Sequence, residues 1–373
     1  MRKEELRGLI VYIIMVLGAI IVGFTVIRDQ MELYAPTKMS GFTFILLVLA
    51  VSYLINVIGL EILHALGALF GGYEVTSINV QWICLFKTEK GWKLGIRDFS
   101  GISGQTIIAP RKEKLNPNLQ SWFPLFGFVF EVAFCVLMSS MFKDSPKASW
   151  IVPASTILLL IGSMLALYNF VPIKLDCEND GYKIRLFTNP INVKAYNQTL
   201  EIQEKRRLGE EVKEIPVFEE ITEYTAEINV IAMYKYLEEE NFVEAEKIID
   251  VLLNNKKFLD INDSNRLIAQ KLYIALLTKE VDEAKELYEK ICPTEIRRFI
   301  ANDISMPSIR AYVMIAGMIE GSESEVAFAR SKVEKAKKRA LKSEIAAEEK
   351  LLEKAIEHVY AAHPKWQKEK TAE

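Results

Sequence analysis

Four long apolar runs in the first half of the chain restrict its fold more than any other feature. They cover residues 8–27, 41–70, 121–142 and 149–171. A bilayer core needs about 20 apolar residues per helix, and each run reaches that length. The first run follows basic residues as a signal peptide would, but it is too long for a typical h-region and no A-x-A-like cleavage site follows. We therefore expect a multi-span α-helical membrane protein that retains its first helix.

The distribution of lysine and arginine predicts how these spans are oriented. The N-terminus and the segment between the second and third spans are basic, with Arg2, Lys3, Arg7, Lys87, Lys90, Lys93, Arg97, Arg111, Lys112 and Lys114. The other two loops are short and carry few basic residues. The positive-inside rule then places both termini and segment 71–120 in the cytoplasm. We expect a multi-pass protein of a bacterial cell membrane, with membrane lipid as its surroundings.

The basic segment also contains a pattern that is typical of strands. Apolar residues occupy every second position from Ile78 to Phe86 and again from Trp92 to Ile96, on either side of a glycine-bearing turn. Period two around such a turn predicts a small cytoplasmic β-hairpin insertion within 72–110, followed by a loop at Ser100–Gln105. Two interpretations stay open. The sheet either covers the cytoplasmic mouth of the bundle or offers an edge strand to an extended substrate by β-augmentation.

The second half of the chain has a different composition, rich in Lys, Glu and Ala. We predict that 1–189 forms the membrane domain, 190–221 a polar linker, and 222–373 an all-α cytoplasmic domain. The pattern Phe242-x-x-Ala245 recurs loosely at Val281-x-x-Ala284, which favours tetratricopeptide-like helical hairpins, with a plain helical bundle as the alternative.

The charge pattern of this helical domain and the cysteines of the whole chain exclude some functions. Basic and acidic residues are interleaved at helical spacing, so we expect no nucleic-acid partner. A protein partner is the more typical ligand of such a domain. The four cysteines, Cys84, Cys135, Cys177 and Cys292, form no C-x-x-C pair and indicate neither a disulfide framework nor a thiolate zinc site.

The segment Leu60-Glu61-Ile62-Leu63-His64, near the end of the second run, carries the most chemistry. It reads as H-E-x-x-H with leucine in place of the first histidine. In the intact motif two histidines one helical turn apart bind zinc and the glutamate acts as general base. An ionisable residue inside a span is by default a functional candidate, although Glu61 and His64 could also pair to hold the bundle together. The remaining histidines, His358 and His363, are expected at surface helix positions.

A second motif follows the fourth run. Asn169 and Pro172 form N-x-x-P, and two aspartates come after it, Asp176 before a cysteine and Asp180 before a glycine. With these motifs, residues 40–190 resemble the site-2 protease family of intramembrane zinc metalloproteases. The resemblance implies that Glu61 is the base, that His64 and one aspartate are metal ligands, and that Asn169 supports substrate binding. Asp180 is favoured over Asp176 because a glycine follows it.

The chain departs from that family at two polar positions. Leu60 replaces a ligand, and Glu131 stands four residues after the third-run glycine, Gly127, where the family commonly has asparagine. Glu131 could be a protonated packing residue, a partner for His64 or a replacement ligand. The first two together are the stronger expectation.

The missing histidine decides between functions. Catalytic zinc keeps three protein ligands and an open position for water, and leucine has no lone pair to offer. One hypothesis is a pseudoprotease that binds membrane peptides or regulates a partner. A second is an active zinc metalloprotease that cleaves a transmembrane or peptide-precursor substrate, either with an altered ligand set or with Leu60 as an engineered change. A third is a membrane scaffold whose motifs match by chance.

Overall fold

A computed structural model describes residues 3–29, 37–88, 90–96, 104–112, 114–145, 147–174, 178–210, 212–340 and 342–368. The fold is mainly helical with one small antiparallel sheet. It divides into two compact units, Met1–Leu200 and Glu201–Glu373, which we call the N-terminal unit and the C-terminal unit. The boundary between them falls inside the segment predicted as a linker.

Four helices of the N-terminal unit are long and apolar enough to cross a membrane. They are α1 (Lys3–Val22, continued by a π-turn at Gly23–Ile27), α2 (Lys38–Phe70), α3 (Asn118–Phe142) and α4 (Ile151–Phe170). They coincide with the four predicted runs, so the prediction of four apolar helices is confirmed. Large side chains such as Leu47 and Phe130 are exposed on their surfaces, as expected for helices in contact with lipid.

The sheet is larger than the predicted hairpin. Its strands are β1 (Tyr73–Val80), β2 (Ile83–Thr88), β3 (Gly91–Ile96) and β4 (Gly104–Pro110), all antiparallel in the order β3-β2-β1-β4. The alternation from Ile78 to Phe86 is divided by a tight turn in which Gln81 has a φ of 54°. Gly104 and Gln105, predicted as the end of a loop, begin β4, whereas residues 100–103 lie outside the described residues.

A glycine pair joins α2 to this sheet. Gly71 and Gly72 separate α2 from β1, and Gly72 has a φ of 91° that L side chains rarely adopt. A Cβ at Gly72 would lie 2.6 Å from the carbonyl oxygen of Lys114. The chain therefore turns directly from α2 into the sheet, and this turn places β4 beside the last turns of α2.

The segment 190–221, predicted as a linker, is largely helical. A short helix α5 (Asp180–Leu186) is followed by α6 (Pro190–Leu208). Proline is well tolerated at a helix start, and side-chain pairs such as Glu201–Lys205 support the helix along its exposed face. A polar sequence without an apolar stripe predicts a linker. The same sequence can form an exposed helix because oppositely charged residues lie at helical spacing. Residues 212–222 form neither a helix nor a strand and include a bend at 219–220.

The C-terminal unit is built from helices joined by short turns. In order they are α7 (Glu223–Glu238), α8 (Phe242–Asn254), α9 (Ile261–Thr278), α10 (Val281–Ile291), α11 (Thr294–Asn302), α12 (Met306–Met314, continued by a π-turn at Ile315–Ile319), α13 (Glu323–Ser331), α14 (Val333–Lys337), α15 (Lys342–Ala362) and α16 (Pro364–Lys368). Leu237, Ile249, Leu272 and Val313 belong to its continuous apolar core. Neighbouring helices such as α7 and α8 pack against each other, and the tetratricopeptide-like arrangement stays a prediction.

Candidate active site in the N-terminal unit

The structure brings His64 and Asp180 together, although they lie far apart in the sequence. His64 Nε2 is 3.0 Å from Asp180 Oδ2, and His64 Nδ1 is 3.4 Å from Glu61 Oε2. Glu61 is 1 % exposed and Asp180 is 5 % exposed. The imidazole therefore lies between two buried carboxyl groups, one at each ring nitrogen.

The end of α4 fixes the position of Asp180. Asn179 caps α5, since its Oδ1 accepts hydrogen bonds from the backbone N–H of Tyr182 at 2.9 Å and of Ile173 at 3.2 Å. Its Nδ2 donates to the carbonyl of Val171 at 2.7 Å. Asn179 thus ties the first turn of α5 to the end of α4. Sequence analysis missed this residue, although asparagine before Asp-Gly is a recognisable helix start.

Gly181 explains why a glycine follows the aspartate. A Cβ at this position would overlap the carbonyl oxygen of Phe170, the last residue of α4. Only glycine therefore allows the backbone to pass close enough to bring Asp180 to His64. Asp176, the alternative ligand, lies outside the described residues.

The sheet holds Glu61 from the other side. Thr106 of β4 donates its hydroxyl hydrogen to Glu61 Oε2 at 2.7 Å, and its Oγ1 also lies 3.2 Å from the Glu61 carbonyl oxygen. A Cβ at Gly104 would lie 2.8 Å from Glu61 Oε1, so the strand approaches closely only because residue 104 is glycine. Thr106 is a second site residue that sequence analysis missed. Its signal would have been the strand pattern of β4.

Leu60 lies next to this cluster and lines a cavity of about 170 Å³ between α2, α3 and α4. The lining is mostly apolar, with the polar side chains of Asn56, Glu131 and Asn169. Glu131 Oε1 accepts a hydrogen bond from Asn56 Nδ2 at 3.1 Å, so Asn56 and not His64 is its hydrogen-bond partner in the described part of the chain. Asn169 and Glu131 therefore belong to the cavity beside the histidine and not to the imidazole cluster.

The tail histidines are not simple surface positions. His363 is half-buried, donates from Nε2 to the carbonyl of Gly317 at 2.9 Å and stacks on Trp366 at 4.0 Å. His358 is also half-buried, in α15. Both lie in the C-terminal unit, so the active-site motif draws on His64 alone.

Among the described residues, the donors at the motif that could share a metal ion are His64 and Asp180. The two ring nitrogens of an imidazole point in diverging directions, so Glu61 at Nδ1 and Asp180 at Nε2 lie on opposite edges of the His64 ring. A metal bound by Nε2 and Asp180 would have two protein ligands where catalytic zinc takes three. Among the described residues, no group of three or more His, Cys, Asp or Glu side chains is arranged to hold a metal ion.

Comparison with protein-family models, with curated proteins and with solved structures finds no match for this chain. The resemblance to site-2 proteases therefore rests on the motif residues alone.

Proposed function

We propose that this chain is a membrane protein of the site-2 protease class that binds membrane peptides without ordinary zinc hydrolysis. In this proposal the four apolar helices span a bacterial cell membrane with both termini in the cytoplasm. The observation that carries the proposal is the arrangement around His64. Leu60, at the position of the first histidine of the motif, lines a mostly apolar cavity, while Glu61 and Asp180 occupy opposite edges of the imidazole.

Two features beside the cluster favour binding of a peptide. The cavity of about 170 Å³ is close in size to an engineered apolar cavity that binds benzene, so it can accept one side chain. β4 is an edge strand of the sheet, and its Thr106 contacts Glu61. An extended peptide added to the outer edge of β4 would lie next to the cluster, which favours the β-augmentation interpretation of the sheet.

Metal analysis of the purified full-length protein tests the loss of zinc binding. We expect the unmodified protein to hold well below one zinc per chain, and Leu60→His to raise zinc toward one per chain because it restores the missing nitrogen ligand. Leu63→His is the matched control, since Leu63 lines the same cavity without occupying the motif position. Stoichiometric zinc in the unmodified protein that disappears in His64→Ala would contradict the proposal.

The 3.0 Å separation of His64 Nε2 and Asp180 Oδ2 favours one competing function, an active metalloprotease with an altered ligand set. Its signature is cleavage of a membrane peptide by the unmodified protein that is abolished in Glu61→Gln. We expect no such cleavage. In either case the C-terminal unit, with its packed helices and solvated charges, is proposed as the part that binds a protein partner.

A further inference from the structure

Glu131 places a carboxyl group in the middle of a spanning helix, beside the cluster but not part of it. Intramembrane carboxyl groups are costly and rarely lack a functional partner. Glu131 lies on α3 and lines the cavity together with Leu60 and Asn169. The cavity therefore combines apolar walls with an acidic group whose purpose the imidazole cluster does not explain.

Of the two carboxyl oxygens of Glu131, Oε1 alone has a hydrogen-bond partner among the described residues. Oε1 accepts from Asn56 Nδ2, and the same Nδ2 donates its other hydrogen to the carbonyl of Ser52 at 3.1 Å. Both hydrogens of the Asn56 amide are thus in use. Within the described ranges no side chain or backbone group donates to Glu131 Oε2.

The position of Oε2 is built into the helix packing. A Cβ at Gly162 of α4 would overlap both Oε2 and Oε1 of Glu131, so the carboxyl group reaches its place because residue 162 is glycine. The described side-chain N and O atoms that are buried without a partner are Gln198 Oε1, Thr199 Oγ1 and Arg310 Nε. Glu131 Oε2 is not one of them, so it keeps access to the cavity.

A second polar group faces the same space. Asn169 lines the cavity, and no hydrogen bond of its side chain is found among the described residues. An acceptor from Glu131 and an amide from Asn169 therefore converge on a space that holds about one side chain. Water is scarce at this depth in a bilayer, so these groups gain most from a partner carried by a ligand.

We propose that this cavity is a specificity subsite for one hydrogen-bond-donating side chain, such as Ser, Thr, Asn or Gln, of a membrane peptide. Glu131 accepts a hydrogen bond from this side chain, and the Asn169 amide forms a second hydrogen bond with it. This inference rests on the proposed function, because it specifies which transmembrane segments the chain binds. The apolar walls exclude a bulky charged side chain, and the open oxygen disfavours a purely apolar one.

Binding of labelled transmembrane peptides to the full-length protein in nanodiscs tests the subsite. The peptides share a Leu-Ala sequence and differ at one guest position, Asn or Leu, which is moved through the central two turns. Interhelical hydrogen bonds in membranes contribute about 0.6–1.7 kcal/mol, so we expect Asn to bind roughly 3- to 20-fold more tightly than Leu at one register.

Three variants assign that preference to the cavity. Glu131→Ala should abolish the difference between the Asn and Leu guests. In Glu131→Gln the one amide oxygen stays with Asn56 and an N–H group replaces Oε2, so an Asn guest should still bind, now through its own carbonyl oxygen, and the difference should be retained. Phe130→Ala is the matched control on the same helix, since Phe130 is 74 % exposed and faces away from the cavity lining.

The outcomes separate the two proposals. If every peptide binds equally at every register, or if the preference survives Glu131→Ala, the subsite is wrong while peptide binding stands. If no peptide binds the unmodified protein, the proposed function itself fails and the subsite with it. The comparison of guests on unmodified protein needs no variant, so a poorly folding variant does not prevent the test.

Discussion

The two units of the chain bury polar groups for different reasons. In the N-terminal unit the buried Glu61 and Asp180 contact His64 near the end of α2, and the buried Thr106 hydrogen-bonds to Glu61. In the C-terminal unit buried polar side chains such as Gln270 and Arg310 lie within a continuous apolar core and hydrogen-bond to other groups of the same unit. Polar burial therefore indicates a candidate site in the first unit and structural support in the second.

Arg310 shows how the C-terminal unit manages a buried charge. Its side chain is completely buried, and it donates to Glu348 Oε2 and to Gln270 Oε1, each at 2.6 Å. Its guanidinium also lies over the Tyr273 ring, with the Cζ atom 4.7 Å from the ring centroid. Although Nε has no partner, the charge is balanced within the core and needs no ligand. The open oxygen of Glu131 in the N-terminal unit has no such balance.

The largest expected effect comes from removing the buried positive charge of Arg310. Arg310→Met leaves Glu348 without its partner, and breaking a buried pair typically costs about 3–5 kcal/mol. We expect hydrogen exchange in α9 and α12 to accelerate by the corresponding amount. Peptides from the spanning helices should be unchanged if the two units are stabilised separately.

A double variant serves as the control for Arg310. Replacing both partners, Arg310→Met with Glu348→Leu, should recover most of the lost protection, because it removes the unpaired charge together with its partner. Equal loss in the single and double variants would show that packing of the guanidinium, and not its charge balance, supports the core. Slower exchange in the single variant would contradict the structural role altogether.

A smaller effect is expected in the N-terminal unit from Gly181→Ala. The added Cβ would overlap the Phe170 carbonyl, and forced overpacking costs about 1–3 kcal/mol. The first turn of α5 must then move, which carries Asp180 away from His64. We expect a lower thermal midpoint in detergent and, in a Leu60→His background, a loss of restored zinc binding.

Gly59→Ala provides the matched control in the same unit. A Cβ at Gly59 meets nothing within 4 Å, and alanine is the better helix former. It should leave the midpoint unchanged or slightly raised. If both alanine variants behave alike, the close approach at Gly181 does not position the aspartate.

The same contrast explains which parts could be predicted from sequence. The spans follow from unbroken apolar runs, and Asp180 was favoured over its alternative because of Gly181, whose steric role is now visible. Thr106 and Asn179 were missed because their hydrogen bonds to distant parts of the chain leave no periodic signal. The helix α6 was missed for a related reason, since exposed ion pairs give no apolar stripe.

The position of the Glu131 carboxyl group could not be predicted either. The sequence offered three roles for it, including contact with His64. In the structure Asn56 is its hydrogen-bond partner, because α3 packs against Asn56 of α2 and Gly162 of α4. Such contacts between distant segments are what local sequence patterns do not encode.

The smallest expected effect is a pH dependence confined to the C-terminal unit, at Asp303. Burial by itself would raise the pKa of Asp303, but hydrogen bonds from Arg266, Ser305 and Ser308 outweigh it and lower the pKa below 3.8. A lowered pKa contributes stability that is present above the unfolded value, near pH 4, and is lost as the pH falls through the folded value.

Asp303→Asn should therefore weaken the unit at pH 7 and flatten its loss of stability below pH 4, as measured by hydrogen exchange in α12. Glu357→Gln, at an exposed position, should leave that acid-induced loss unchanged. If Asp303→Asn loses stability below pH 4 as the unmodified protein does, the ion pair between Asp303 and Arg266 does not stabilise the unit. The contrast between the two units would then rest on Arg310 alone.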